Sequence, residues 1–139
     1  MKKKRFFQII VLGILALTGI IWYRTPVDFV RLSPENVLKI VLFDGNSGKG
    51  CHIQDPQDIQ HIIENLNTIK LQRDKLSIGY VGYRFQTTIY LTNGEEANGW
   101  NHFILNSNDT VRKDPFFYKV VEGEIDIEYL QKRLDASFP

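Results

Sequence analysis

The chain has 139 residues, 43% of them hydrophobic and 24% charged, with a net charge of +1 and one cysteine. That composition excludes a disordered or low-complexity protein. The single Cys excludes an intramolecular disulfide and a Cys-based zinc cluster, and the weak charge gives no basic field for nucleic acid.

Lys2, Lys3, Lys4 and Arg5 form a cationic cluster, and Phe6 to Tyr23 follows without a charged residue. Eighteen residues reach about 27 Å as a helix, enough to cross a hydrocarbon core of about 30 Å with little to spare. Trp22 and Tyr23 close the run where an aromatic belt belongs, and Arg24 marks water. The cations before the run exceed the one just after it. The positive-inside rule therefore predicts a cytoplasmic N-terminus and a domain across the plasma membrane. A cleaved signal would have a shorter apolar region and a small-x-small site, whereas this run exits through Ile-Ile-Trp-Tyr-Arg-Thr-Pro. The expected division is a cytoplasmic tail (1–5), a signal-anchor helix in the bilayer (6–23), a juxtamembrane linker (24–32) and an extracytoplasmic domain (33–139). Setting aside the four leading cations leaves 13 basic against 16 acidic residues, a net charge of −3. Such a domain does not suggest binding to anionic lipid or nucleic acid.

Ser33-Pro34-Glu35 predicts a single helical turn. Val37 to Phe43 reads as a central strand, apolar on both faces. Asp44 to Gly50 reads as a turn, and Gly50 to Gln54 as a short return strand. Asp55-Pro56 opens the clearest helix, with Ile59, Ile62, Ile63, Leu66 and Ile69 on one stripe. Burying those five side chains contributes about 10 kcal/mol before entropic costs. Lys70 to Ser77 is polar and reads as a loop. Phe85, Thr87, Ile89 and Leu91 alternate with polar neighbours in a half-buried strand, and Asn93-Gly94 signals a hairpin into a return strand from about Ala97 to Leu105. Asn106 to Asp109 turns, Phe116 to Val121 forms a further strand, and Asp126 caps a closing helix that buries Ile127, Leu130 and Leu134. The predicted fold class is α+β: an N-terminal transmembrane helix, then an antiparallel sheet in the order ββαβββα with helices on one face.

The segment Gly45-Asn46-Ser47-Gly48-Lys49-Gly50 fails as a phosphate loop. Phe43 stands at the first glycine position, Gly50 replaces the hydroxyl residue, and a strand follows where a helix is needed. Cys51 and His52 are strand neighbours and point apart. His61 lies off the apolar stripe. No Ser sits in a nucleophile elbow, and no cofactor is implied. The Asn108-Asp109-Thr110 sequon matters only in a eukaryotic secretory pathway.

Aromatic residues cluster late in the chain, from Tyr80 and Tyr83 to Tyr118. If Tyr80, Tyr90 and Trp100 share the sheet face opposite the helices, with His102 beside them, they form a surface suited to a protein or peptide. The leading expectation is a non-catalytic accessory, sensor or immunity-type module that binds a partner outside the cytoplasm. The alternatives are a small-ligand or metal-binding domain using His102 and Cys51, and a hydrolase.

The approach Ile53-Gln54-Asp55 into Ile59, Ile62 and Ile63, the Asn93-Gly94 hairpin, and the helix from Asp126 to Leu134 together form a pattern over residues 33–135. In it the chain resembles small, uncharacterised membrane-anchored extracytoplasmic domain proteins of Gram-positive bacteria. The resemblance implies no activity and assigns no catalytic residue.

Overall fold

Pairing between distant strands organises this chain more than local periodicity does. A computed structural model describes residues 2–97 and 99–138. Met1 of the expected tail, Asn98 of the expected return strand and the terminal Pro139 lie outside the described residues. The chain is α+β, with an apolar N-terminal helix, an open eight-stranded antiparallel sheet and two shorter helices.

Helix α1 (Lys2–Arg24) begins inside the cationic cluster and is long and apolar enough to cross a membrane. No α1 side chain is buried. Its Thr18 hydroxyl donates to Ile14 O at 2.8 Å, so the polar atom is satisfied within the helix itself.

The strands are β1 (Val27–Asp28), β2 (Val37–Asp44), β3 (Gly50–Ile53), β4 (Lys70–Leu76), β5 (Phe85–Leu91), β6 (His102–Leu105), β7 (Thr110–Lys113) and β8 (Phe116–Glu122). Their order across the sheet is β1-β4-β8-β7-β6-β5-β2-β3. Helix α2 (Pro56–Asn67) starts as its sequence dictates. Asp55 Oδ1 accepts from the N–H groups of Gln57 (2.9 Å) and Asp58 (3.2 Å), and Ile59, Ile62, Ile63 and Leu66 are buried. Helix α3 (Ile127–Ala136) is capped by Asp126, whose carboxylate accepts from Tyr129 N–H at 3.1 Å. Both helices bury their stripes in one core with Ile40 and Leu42 of β2, Phe85 and Ile89 of β5, Phe103 and Leu105 of β6, and Leu71 of β4. Alternation then assigns Lys39, Val41, Phe43, Gln86, Thr88, Tyr90, His102, Ile104, Arg112 and Phe117 to the opposite, open face.

Four expectations need correction. Lys70 to Leu76 is a strand, not a loop. It buries only Leu71, so its sequence reads polar, and its pairing with β8 holds it in place. β7 also goes beyond the expected order, as a four-residue strand with one buried side chain, Val111. The return strand starts at His102, not at Ala97. Ile89 O accepts from Ala97 N–H at 3.0 Å while Ile89 N–H donates to Asn101 O at 2.9 Å, so Gly99 and Trp100 bulge out of the ladder. Finally, segment 24–32 is more than a connector, because it carries β1 and places Phe29 and Val30 in the core.

Candidate functional site

β4 and β5 run in the same direction but lie on opposite sides of β8, β7 and β6. The connection 77–84 must therefore travel four strand spacings, about 19 Å. It crosses the open face as a strap. Tyr80 packs edge-on against Phe117 of β8 with centroids 5.0 Å apart, and Tyr83 lies 6.2 Å from Phe43 of β2. Beyond the strap, side chains of β2, β5 and β6 stay open to solvent.

That remaining patch is a mixed surface. Tyr90 is half-buried beside its cross-strand partner Lys39, whose ammonium sits 4.9 Å from the ring centroid. His102 is exposed and pairs with Thr88 across the strands. Its Nδ1 lies 2.9 Å from Thr88 Oγ1, and its Nε2 lies 3.2 Å from Gln86 Nε2. With the Gln86 amide donating, Nε2 accepts and Nδ1–H donates to the Thr88 hydroxyl. Val41, Ile104 and Phe43 supply apolar surface around this polar ladder. The patch therefore offers two aromatic rings, aliphatic surface, a cation, an imidazole and one amide, a combination suited to contact with another chain.

The structure brings together two of the four expected surface residues, Tyr90 and His102. Tyr80 lies on the same side, but over β8, three strand spacings or about 14 Å from β5. Trp100 lies on the other side. Gly99, at φ +77°, turns the bulge so that the indole packs 5.0 Å from both Phe29 and Tyr118 on the helix-covered side. Phe43, Val41 and Ile104 were not legible as surface residues, since an apolar residue in an apolar run has no face until strand register fixes one.

Cys51 and His102 lie on opposite faces of the sheet. Burial pushes the Cys51 thiol above its ordinary value, against a smaller lowering by the Ser137 hydroxyl, so Cys51 rests as an inert thiol. Among the described residues, no three His, Cys, Asp or Glu side chains converge on a possible metal position.

A second polar cluster joins the two helices. The His61 ring stacks on Tyr129 at 3.8 Å, and its Nε2 lies 2.9 Å from Asp126 Oδ2. Tyr129 Oη donates to Asp58 Oδ1 at 2.6 Å, and Arg133 Nη1 donates to both oxygens of the same carboxylate. Every member has a partner within the cluster, and its two helices hold each other through it. This is a structural clasp.

No protein family, curated protein or solved structure matches the chain.

Proposed function

We propose that the chain is a single-pass membrane protein with a cytoplasmic N-terminus. Its α+β domain stands outside the plasma membrane and binds a protein or peptide through the open face of its sheet. The role is non-catalytic, that of an accessory, sensor or immunity-type module. One observation carries this reading: the half-exposed patch around Tyr90 and His102, which neither helix nor strap covers. The anchor half rests on α1, with cations before it and Trp22 and Tyr23 at its end.

Two measurements test the halves separately. Whole-cell fractionation of C-terminally tagged protein should leave full-length chain in the membrane, with the tag degraded by external protease. Full-length soluble protein, or a shorter released product, would overturn the anchor. For the binding half, a photo-crosslinking residue replaces Tyr90 in living cells, and a control probe replaces Glu64 on α2. A discrete adduct at Tyr90 that is absent at Glu64, and weakened at least several-fold by His102→Ala, supports the face. Equal labelling at both positions removes it.

A further inference from the structure

The last residue of β4 and the strap have an outward side that the partner-binding reading does not use. Leu76, Ile78, Tyr80 and Val81 are each at least 50% exposed, and Val81 reaches 95%. Single exposed apolar residues are ordinary, but four within six residues mark a contact. The segment is held firmly. Ser77 N–H donates to Pro115 O at 2.8 Å, the Ser77 hydroxyl donates to Asp114, and Tyr80 N–H donates to Ser77 O at 3.1 Å. Gly79 and Gly82, at φ +83° and +92°, bracket the tip. They turn Tyr80 down onto Phe117 and leave Val81 pointing away.

The base of this segment lies at the exit of α1. Leu76 pairs with Phe116, whose ring stands 6.2 Å from Trp22 and 6.0 Å from Tyr23. Tyr23 Oη donates to Asp74 O, and Arg73 Nη1 donates to Trp22 O at 3.0 Å. Cations surround the base. Lys75 lies 5.1 Å from the Tyr80 centroid, and the nearby carboxylates are already engaged, Asp74 by Lys119 and Asp114 by Arg112.

We propose that residues 76–81 form a second membrane contact. Ile78 and Val81 seat in the headgroup–acyl boundary of the leaflet from which α1 emerges, and Lys75 reaches toward lipid phosphate. The proposal rests on the reading that α1 spans a bilayer. If it does, Trp22 and Tyr23 sit at the interface, and a segment that starts against the same Phe116 ring lies at nearly the same depth. Exposed aliphatic side chains there leave water at no cost in buried backbone, and an ammonium on a long stem can stay at the polar boundary. The contact fixes the domain against the bilayer and presents the Tyr90–His102 patch at a set orientation.

The test uses the full chain in vesicles of phosphatidylcholine and phosphatidylglycerol. Each sample carries one environment-sensitive fluorophore on a cysteine, in a Cys51→Ala background. The positions are Val81→Cys on the strap, Ile14→Cys in α1, and Asn46→Cys in the β2–β3 turn, five strand spacings from β4. The Ile14 and Val81 labels should both be blue-shifted, quenched by nitroxide lipids and shielded from aqueous iodide. The Asn46 label should show the reverse. Adding Ile78→Asp, at a side chain 75% exposed and so without a packing role, should abolish nitroxide quenching at Val81 while leaving that at Ile14. If Val81 follows Asn46 while Ile14 reports lipid, the strap contact is overturned and the span stands, leaving this apolar tip for a protein partner. If Ile14 also reports water, the spanning reading itself falls.

Discussion

Thr87 is 1% exposed, and its Oγ1 finds no hydrogen-bond partner among the described residues. It lies between Leu42 and Phe103 on the helix-covered face, where its alternation with Gln86 and Thr88 directs it. A hydroxyl taken from water without a new bond costs about 1–3 kcal/mol. Valine fills nearly the same volume with no polar atom. Thr87→Val should therefore stabilise the domain by about 1 kcal/mol and raise Tm by a few degrees. Thr88→Val, one residue on, removes the hydroxyl that holds His102 and should give no such gain. Calorimetry of the two variants beside the native chain checks both. A gain for Thr87→Val without one for Thr88→Val would establish the face assignment independently. A rise for Thr88→Val alone would mean that the two faces are assigned wrongly.

Helices and strands differ in how much of themselves they write into sequence. α2 was readable because its cap and its stripe are local: Asp55, Pro56 and four isoleucine and leucine positions lie within twelve residues. β4 was not readable, because Lys-Leu-Gln-Arg-Asp-Lys-Leu buries a single side chain and is a strand by virtue of its pairing with β1 and with β8, the latter forty or more residues away. Trp100 was misplaced for a related reason. Alternation puts it on one face with Tyr90, but the bulge at Gly99 reverses its side, and a bulge is a property of pairing. The open-face patch was thus half legible, through Tyr90 and His102, whose strands alternate cleanly. The clasp between α2 and α3 was visible only as separate parts. His61 holds the Asp126 carboxyl below its ordinary range, aided by the Tyr129 N–H and opposed by burial. A depressed folded-state value means that the carboxylate stabilises the fold above its unfolded pKa of about 3.9, and that this is lost as pH falls through the folded value. Asparagine caps a helix about as well as aspartate, so Asp126→Asn isolates the charge. The variant should melt lower than the native chain near neutrality, and the gap should close as the pH is taken below about 4. A gap that stays constant with pH would assign the loss to altered capping geometry.

At the scale of the whole molecule, the question is whether the domain swings on α1 or is fixed to it. Residues 24–32 look like a tether by composition, but β1 pairs with β4 and Phe29 is fully buried, so the chain is captured within a few residues of leaving α1. Arg73 completes the junction. Its guanidinium lies 3.8 Å from the Trp22 ring centroid and 6.0 Å from that of Tyr118, and it donates to Trp22 O. Stacking over an indole contributes about 0.5–1 kcal/mol where exposed and about 2 kcal/mol where desolvated. That is enough to favour one orientation over others by roughly a factor of 2 to 30, and small against the stability of the core. Arg73→Ala should therefore free the domain without unfolding it. Spin labels at Leu12 in α1 and Lys132 on α3, measured by pulsed dipolar spectroscopy in vesicles, should give a narrow distance distribution in the native chain. Arg73→Ala should broaden it while Tm shifts by only a few degrees, and Arg73→Lys, which keeps the charge without the planar stack, should fall between. A native distribution as broad as the variant's would show that the junction does not orient the domain. Orientation would then have to come from the contact with lipid proposed for the strap.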